Sequence, residues 1–445
     1  MCLILEAEKV ENQFFVAVIG AGPAGLFGAR ELAQHGVRVA LFNRDIKAGG
    51  LAEYGIYPEK HTMKDGLRKQ FRQSLDLPNI DYYGNVMVGM NGDLTLDDIR
   101  AMGFDAVLVS AGAQGTKSLG LPGEDLEGVY HAKDVVYAYN KLPPFTQRNF
   151  RFGKRCAIIG AGNVMVDIAR HLINVQKVEE VTAIVRRGPA EVNFTKDEMK
   201  HLIPYLDLDE FENEMQRVIP VLEAIQQDPE IGRHKVLDSL SKADPKTEDA
   251  KFHFDFLASP TAMYGENGHL TQLEVEDNIL VEKDGKTSAK GTGVKRTLNV
   301  DAVIFAIGDQ VDASFGLPAE WGEFLKNKDP KFPVEGVSYE STVEGIFVGG
   351  WSRKASEGLV GYARRDGTNA AKAVKQYLET IAPANASPEA VAEKVKSLHK
   401  PVILKEDIKR LEAAESEEAQ KRGLPEFKFS TNEEMLQAMG LIETA

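Results

Sequence analysis

Two short glycine turns are where residue type and spacing in this 445-residue chain could do chemistry. The first reads Gly20-Ala21-Gly22-Pro23-Ala24-Gly25, and the second Gly160-Ala161-Gly162-Asn163-Val164-Met165. A G-x-G-x-x-G turn between a strand and a helix suits a dinucleotide. Its first glycine permits the tight turn, its second admits a pyrophosphate to the backbone, and its third lets helix and strand pack closely. The helix start adds unpaired N–H groups and a partial positive charge. In the second turn Met165 holds the third place, which predicts looser helix packing with both phosphate-facing glycines intact.

The residues that end the strand after each turn select the nucleotide. After the first turn this place holds Asn43, then Arg44 and Asp45. A ribose there is expected to meet an amide in place of the usual carboxylate, with Asp45 as a second candidate. After the second turn the place holds Arg186-Arg187. Guanidinium matches phosphate in a bidentate fashion, so the pair predicts a 2′-phosphate and favours NADPH over NADH. Two such folds in tandem suggest electron transfer between two nucleotides, one flavin held permanently and one nicotinamide visiting.

These turns need particular elements around them. Buried-strand patterns lie at Phe14–Ile19, Val37–Phe42, Cys156–Ile159 and Glu180–Val185, with helical patterns through Leu26, Ala29 and Leu32 and from Asp167 to Ile173. From about Phe252 to Leu298 apolar and polar residues alternate, broken at Gly265–Gly268 and Asp284-Gly285, which predicts an antiparallel meander. Asp301–Gly308 then returns the chain to the first fold, and the charged stretch from Pro383 predicts a helical C-terminal wrap. The expected architecture is α/β, with two Rossmann-like dinucleotide-binding domains, the second inserted into the first. The expected boundaries are 1–113 and 309–445 for the FAD-binding domain and 114–308 for the NADPH-binding domain.

Composition narrows the function. Apolar residues make up 43% and charged residues 27%, the balance of a globular protein too long for one core. A formal net charge of −14 disfavours nucleic acid. The apolar runs, including Leu3-Ile4-Leu5, are too short to enter a membrane, and with no targeting pattern the cytoplasm is expected. The chain has two cysteines, Cys2 and Cys156. They cannot form a C-x-x-C pair or a four-thiolate iron–sulfur cluster, so redox chemistry needs a bound organic cofactor. Cys156, inside a buried strand, is expected to be inert.

In order along the chain, several segments resemble the adrenodoxin reductase-type ferredoxin–NADP reductases, a group related to the glutamate synthase small subunit. They are Gly49-Gly50-Leu51 with Tyr54-Gly55-Ile56 and Pro58, Tyr83–Val86, Leu121-Pro122-Gly123, Gly128-Val129-Tyr130 and Tyr139–Pro143. Gly162-Asn163-Val164, Arg186–Pro189 with Phe194-Thr195 and Glu198, Gly350-Trp351 with Gly358, and the tail Glu433–Leu436 complete the set. The resemblance implies FAD on Gly20, Gly22, Pro23, Ala24, Gly25, Asn43, Gly50 and Leu51, with Val86 reading the adenine through its backbone. It also implies Trp351, Gly358, Leu359 and Val360 at the flavin ring, and NADPH on Gly160, Gly162, Asn163, Val164, Arg186, Arg187 and Glu198. Four departures accompany it: Asn43, Met165, Lys60 with His61 where the family has Pro-x-His, and Gly361-Tyr362 with Arg364, Arg365 and Asp366 after Gly358. Lys60, His61 and Trp351 are the candidate catalytic residues.

The implied reaction is hydride transfer between NADPH and FAD with single electrons passed to a ferredoxin or other iron–sulfur partner. A constitutive electron-transfer subunit of a larger iron–sulfur complex, an NADH-linked enzyme and a nucleotide-binding scaffold without turnover are the competing readings. Local basic groups that could dock an acidic ferredoxin are Arg68, Lys69 and Arg72, Arg353 and Lys354, and Arg364 and Arg365.

Overall fold

The strand after the N-terminal segment reads Phe-Val-Ala-Val-Ile, with no polar position on either face, and such a strand must be covered on both sides. In the computed structural model, Phe15–Ile19 lies at the centre of a five-stranded parallel sheet. The order is Ile346–Val348, Ala106–Val109, Phe15–Ile19, Arg38–Phe42, Ile80–Tyr83. Because side chains alternate across a strand, Val16 and Val18 enter one core and Phe15, Ala17 and Ile19 the other. The first core also holds Leu26, Ala29 and Leu32 of the helix Pro23–Gln34, and Ala370, Ala371 and Val374 of the helix Val360–Leu378.

The structure describes residues 13–443 apart from 284 and 385, so Cys2, the Leu3-Ile4-Leu5 patch and Asp284 lie outside it. The chain divides into two compact units. One comprises the residues up to Thr116, Tyr139–Gln147 and those from Gly308 onward; the other comprises Lys117–Ala138 and Arg148–Ile307. No helix among the described residues is long and apolar enough to cross a membrane.

The second unit carries its own five-stranded parallel sheet, in the order Val129–His131, Ala302–Phe305, Arg155–Ile159, Glu180–Val185, Lys251–Phe256. A three-stranded antiparallel meander follows, formed by Ala258–Glu266, His269–Lys283 and Lys286–Asn299. The meander therefore starts later than the alternation from Phe252 predicts. Lys251–Phe256 buries Phe252, Phe254 and Phe256 on the parallel sheet. An edge strand with one wet face alternates as an antiparallel strand does, and the pattern alone does not tell them apart.

The charged C-terminal stretch forms the helices Pro388–Lys396, Lys405–Arg422 and Asn432–Ala438. Ile408 and Leu411 enter the first unit's core. The same region is also fastened by a buried ionic cluster. Lys47 Nζ lies 2.6 Å from Glu415 and 3.2 Å from Glu53, Arg68 forks onto Glu53 at 2.7 Å, and Lys428 Nζ lies 3.0 Å from Glu53. Glu426 pairs with both Lys64 and Arg68. Lys47, Glu53, Lys64 and Lys428 are each under a tenth exposed. Such pairs contribute little net stability when complete, but removing one member leaves its partner charged and unsolvated.

Burial alone raises the Glu426 carboxyl; the charge of Lys428 and the hydrogen bonds from Lys64 and Arg68 outweigh it and hold the pKa at about 2. A carboxyl whose folded value lies below its unfolded one, about 4.3, stabilises the fold fully above that value. Its contribution is lost as pH falls through the folded value. Glu426→Gln is therefore expected to cost roughly 2–4 kcal/mol at neutral pH in denaturant titrations. The gap to wild type should be flat above about pH 5 and narrow from there to about pH 2; a gap independent of pH would contradict this origin.

Candidate functional site

In the first unit the strand Phe15–Ile19 runs directly into Gly20, whose φ is 101°. A Cβ on Gly20 would lie 2.4 Å from Ser110 O, and one on Gly25 would lie 1.8 Å from Gly20 O. Strand, turn and helix are in backbone contact here, and no larger residue fits. Gly22 faces open space instead, with Gly50 Cα at 4.0 Å the nearest atom to a Cβ built there. The helix Pro23–Gln34 starts on Gly22 with no side-chain cap, whereas Thr95 and Ser387 cap the helices that follow them. Pro23 at the first position has no N–H to lose. The amides of Ala24 and Gly25 are thus offered to an anion in the open space.

Other expected residues collect around this turn. Gly49 N–H donates to Ala21 O at 2.7 Å, which brings Gly50 and Leu51 against it. A Cβ on Gly350 would lie 2.6 Å from Ala24 Cβ, so the Gly350–Ser352 turn also abuts the helix start. Trp351 is half-buried, and its indole N–H donates to Glu357 O at 2.9 Å. That bond closes the 351–357 loop and leads Gly358 and Leu359 into Val360–Leu378, a second helix with no side-chain cap. Asp366 locks the arrangement. It accepts Gly350 N–H at 2.6 Å and a two-pronged contact from Arg353 at 2.6 and 2.9 Å. Ser352 Oγ in turn accepts Gly112 N–H at 3.0 Å.

Asn43 departs from its expected role. Its Oδ1 accepts Ala21 N–H at 3.0 Å, and its Nδ2 faces Asp45 O, Lys47 O and the Tyr82 hydroxyl at 2.8, 3.0 and 3.2 Å. At 6% exposure this amide is directed inward to the loop and not to a ribose. The side chain of Asp45 is held by Arg44, 2.9 Å away. Val86 N–H donates to Asn43 O at 2.9 Å. Lys60 stands at the start of the helix His61–Leu75, and His61 Nδ1 faces Glu426 Oε2 at 3.6 Å. The geometry thus connects His61 with the ionic cluster.

The second unit repeats the turn. A Cβ on Gly160 would lie 2.5 Å from Ala306 O, while nothing lies within 4 Å of one on Gly162. The helix Asn163–Asn174 begins four residues before the expected Asp167, again without a side-chain cap. Met165 does not loosen it: the side chain is wholly buried and fills space that a smaller residue would leave. Asn163 Oδ1 accepts Thr195 N–H at 2.8 Å, and Thr195 caps the short helix carrying Glu198. Val164 is exposed beside the open glycine.

Arg186 and Arg187 follow the strand Glu180–Val185, the first exposed and the second half-buried. Their backbone is held by the buried Asn278, whose Nδ2 donates to Arg186 O at 2.9 Å, and by Leu257 N–H on Arg187 O at 3.2 Å. Asn278 escaped the sequence reading, although it is a polar residue at an inward place in the meander, where the register shifts. Ser110 and Ser352 had no such signal, because their partners are remote in sequence. Cys156 is 2% exposed, and burial pushes its thiol well above the usual range, as an inert packing residue requires.

The family model described as pyridine nucleotide-disulphide oxidoreductase matches residues 14–203. The NADPH-ferredoxin reductase FprA of Mycobacterium leprae is 29% identical over 406 residues, covering 83% of this chain and 84% of that protein. The mitochondrial NADPH:adrenodoxin oxidoreductase of Homo sapiens is 26% identical, covering 96% of this chain and 92% of that one. The chain is a relative of these reductases. The structure of Mycobacterium tuberculosis FprA in complex with NADPH has the same fold, with a TM-score of 0.81 at 23% identity, covering 96% of this chain and 99% of that one.

Placing an acid at position 43 is expected to harm this protein. Asn43→Asp keeps the acceptor for Ala21 but turns a carboxylate oxygen onto the Asp45 and Lys47 carbonyls. We expect a loss on the order of 1–3 kcal/mol in thermal unfolding, with lower flavin content in the purified protein. Equal stability and flavin content would show that Asn43 does not organise the loop.

Proposed function

We propose that this chain is an FAD-dependent NADPH oxidoreductase that passes single electrons to a ferredoxin-type iron–sulfur protein. The observation that carries the reading is the pair of uncapped helix starts, each facing open space at the middle glycine, the second beside two arginines. No ion pair or hydrogen bond to either guanidinium is present among the described residues, which leaves both for a phosphate. Bound FAD would supply the two-electron to one-electron conversion, with NADPH as hydride source.

The chain's own residues would bind and orient. The unit holding Gly20, Gly22 and Gly25 would take FAD, its pyrophosphate on the Pro23, Ala24 and Gly25 turn and its ring side along Gly50, Leu51, Trp351 and Gly358–Val360. Tying the Trp351 indole to Glu357 and Gly350 to Asp366 would keep that wall rigid. The unit holding Gly160, Gly162, Asn163 and Val164 would take NADPH. Arg186 and Arg187 would clamp its 2′-phosphate, and Glu198, on the short helix that Thr195 caps, would help to hold the nucleotide. His61, beside the Glu426 carboxylate, is our candidate for proton exchange, with Lys60 placing it at the start of its helix.

An anaerobic titration following the flavin absorption band tests the reading. NADPH should bleach the band at far lower concentration than NADH. In the Arg186→Ala/Arg187→Ala variant the half-point for NADPH should rise roughly 100-fold, while that for NADH moves less than about twofold. A colourless protein, or an unchanged nucleotide preference in the variant, would refute it.

A further inference from the structure

The local basic groups sort themselves once the chain is folded. Arg68 and Arg353 are largely buried in ion pairs with Glu53 and Asp366. Arg72 is held by Glu412 and Lys354 by Glu357. The helix Val360–Leu378 behaves differently. Its single acid, Asp366, is buried on Arg353, while Arg364, Arg365 and Lys372 are exposed and Lys375 half-buried.

At 100° per residue Arg364, Arg365, Lys372 and Lys375 fall within about 100° of helix circumference, and Arg364 to Lys375 spans roughly 17 Å along the axis. Glu335 pairs with Arg365 at 2.6 Å, and Arg364 lies over the Phe27 ring with its N–H on Gln70. Among the described residues no acid forms an ion pair with Lys372 or Lys375, although the Glu335 carboxylate lies within electrostatic reach of Lys372. Like charges three residues apart on a helix repel, and the chain as a whole carries −14. Even with Glu335 on Arg365 and Glu379 at the helix end, the face keeps an excess of positive charge against both tendencies, which calls for an external counter-charge.

We propose that this face is the docking surface for an acidic iron–sulfur protein, a proposal that rests on the electron-transfer reading above. Two features favour a small acidic protein. The face begins one turn after Gly358–Val360, the segment placed at the flavin ring, so a partner seated on it would be held beside that ring. Its length also matches part of a small protein footprint, with steering supplied by charge. Nucleic acid or an anionic membrane would present its charge to the whole surface, where the net −14 opposes it.

The test uses the full flavoprotein with an acidic plant-type [2Fe–2S] ferredoxin and with menadione, an uncharged acceptor. Lys372→Glu/Lys375→Glu leaves every proposed nucleotide contact in place, and Lys372→Gln/Lys375→Gln is the milder companion. The ferredoxin KM should rise about tenfold or more in the first and less in the second, with weaker salt dependence in both and menadione reduction unchanged. An unchanged ferredoxin KM and salt dependence in variants that reduce menadione normally would overturn the surface. So would a wild-type protein that reduces menadione with NADPH but not ferredoxin, or variants that lose only binding to phosphatidylserine vesicles. Failure of the wild-type protein to reduce either acceptor would instead remove the underlying electron-transfer reading.

Discussion

Backbone meets backbone where Phe15–Ile19 turns into its helix, and most of the first unit follows from that contact. Gly25 lies on the Gly20 carbonyl, Gly20 on Ser110, and Gly367 on Ala24, where a Cβ would come within 2.0 Å of the carbonyl. The helices Pro23–Gln34 and Val360–Leu378 can therefore cross with almost nothing between them. Their apolar sides close over one face of the central strand. The same intimacy excludes side chains from the turn, so the helix amides face open space and not a cap. One steric constraint thus produces both the packing and the uncapped helix start that faces open space.

Attachment of the C-terminal region uses a different physics. Ile408 and Leu411 add apolar burial, but the specific join is ionic: Glu415, Glu426 and Lys428 meet Lys47, Glu53, Lys64 and Arg68 out of water. Desolvation opposes every one of these charges, and only the complete set offsets it. The cluster specifies which surface the tail covers, because an apolar contact tolerates sliding and a buried charge without its partner does not. Its position beside the Gly49–Tyr54 segment ties the tail to the neighbourhood of the first glycine turn.

Arginine serves three ends in this fold, and the distinction lies in what stands within reach. Arg68 and Arg353 are enclosed with carboxylates and stiffen the framework. Among the described residues Arg186 and Arg187 are held through their backbone, by Asn278 and Leu257, with no acid paired to either guanidinium. Arg364 lies on an aromatic ring at the rim of a basic helix face. Clusters of basic letters in the sequence look the same in all three cases. Only the positions of remote acids separate them.

Local pattern carried the fold class a long way. The all-apolar strands, the glycine turns and the helical periodicity each depend on residues within about ten positions, so the two parallel sheets and the meander were legible in the sequence. The meander's first boundary was not, because Lys251–Phe256 alternates like an antiparallel strand while pairing in parallel with Glu180–Val185. Asn43 shows the limit most clearly. Its place after the second strand pointed to a ribose, yet Ala21, Lys47 and Tyr82 converge on its amide only when the chain is folded. The sequence by itself determined where backbone could turn and which faces had to be buried. The tertiary structure decided which polar side chains remain free for a ligand, because hydrogen bonds and ion pairs between remote residues depend on distances that no local spacing encodes.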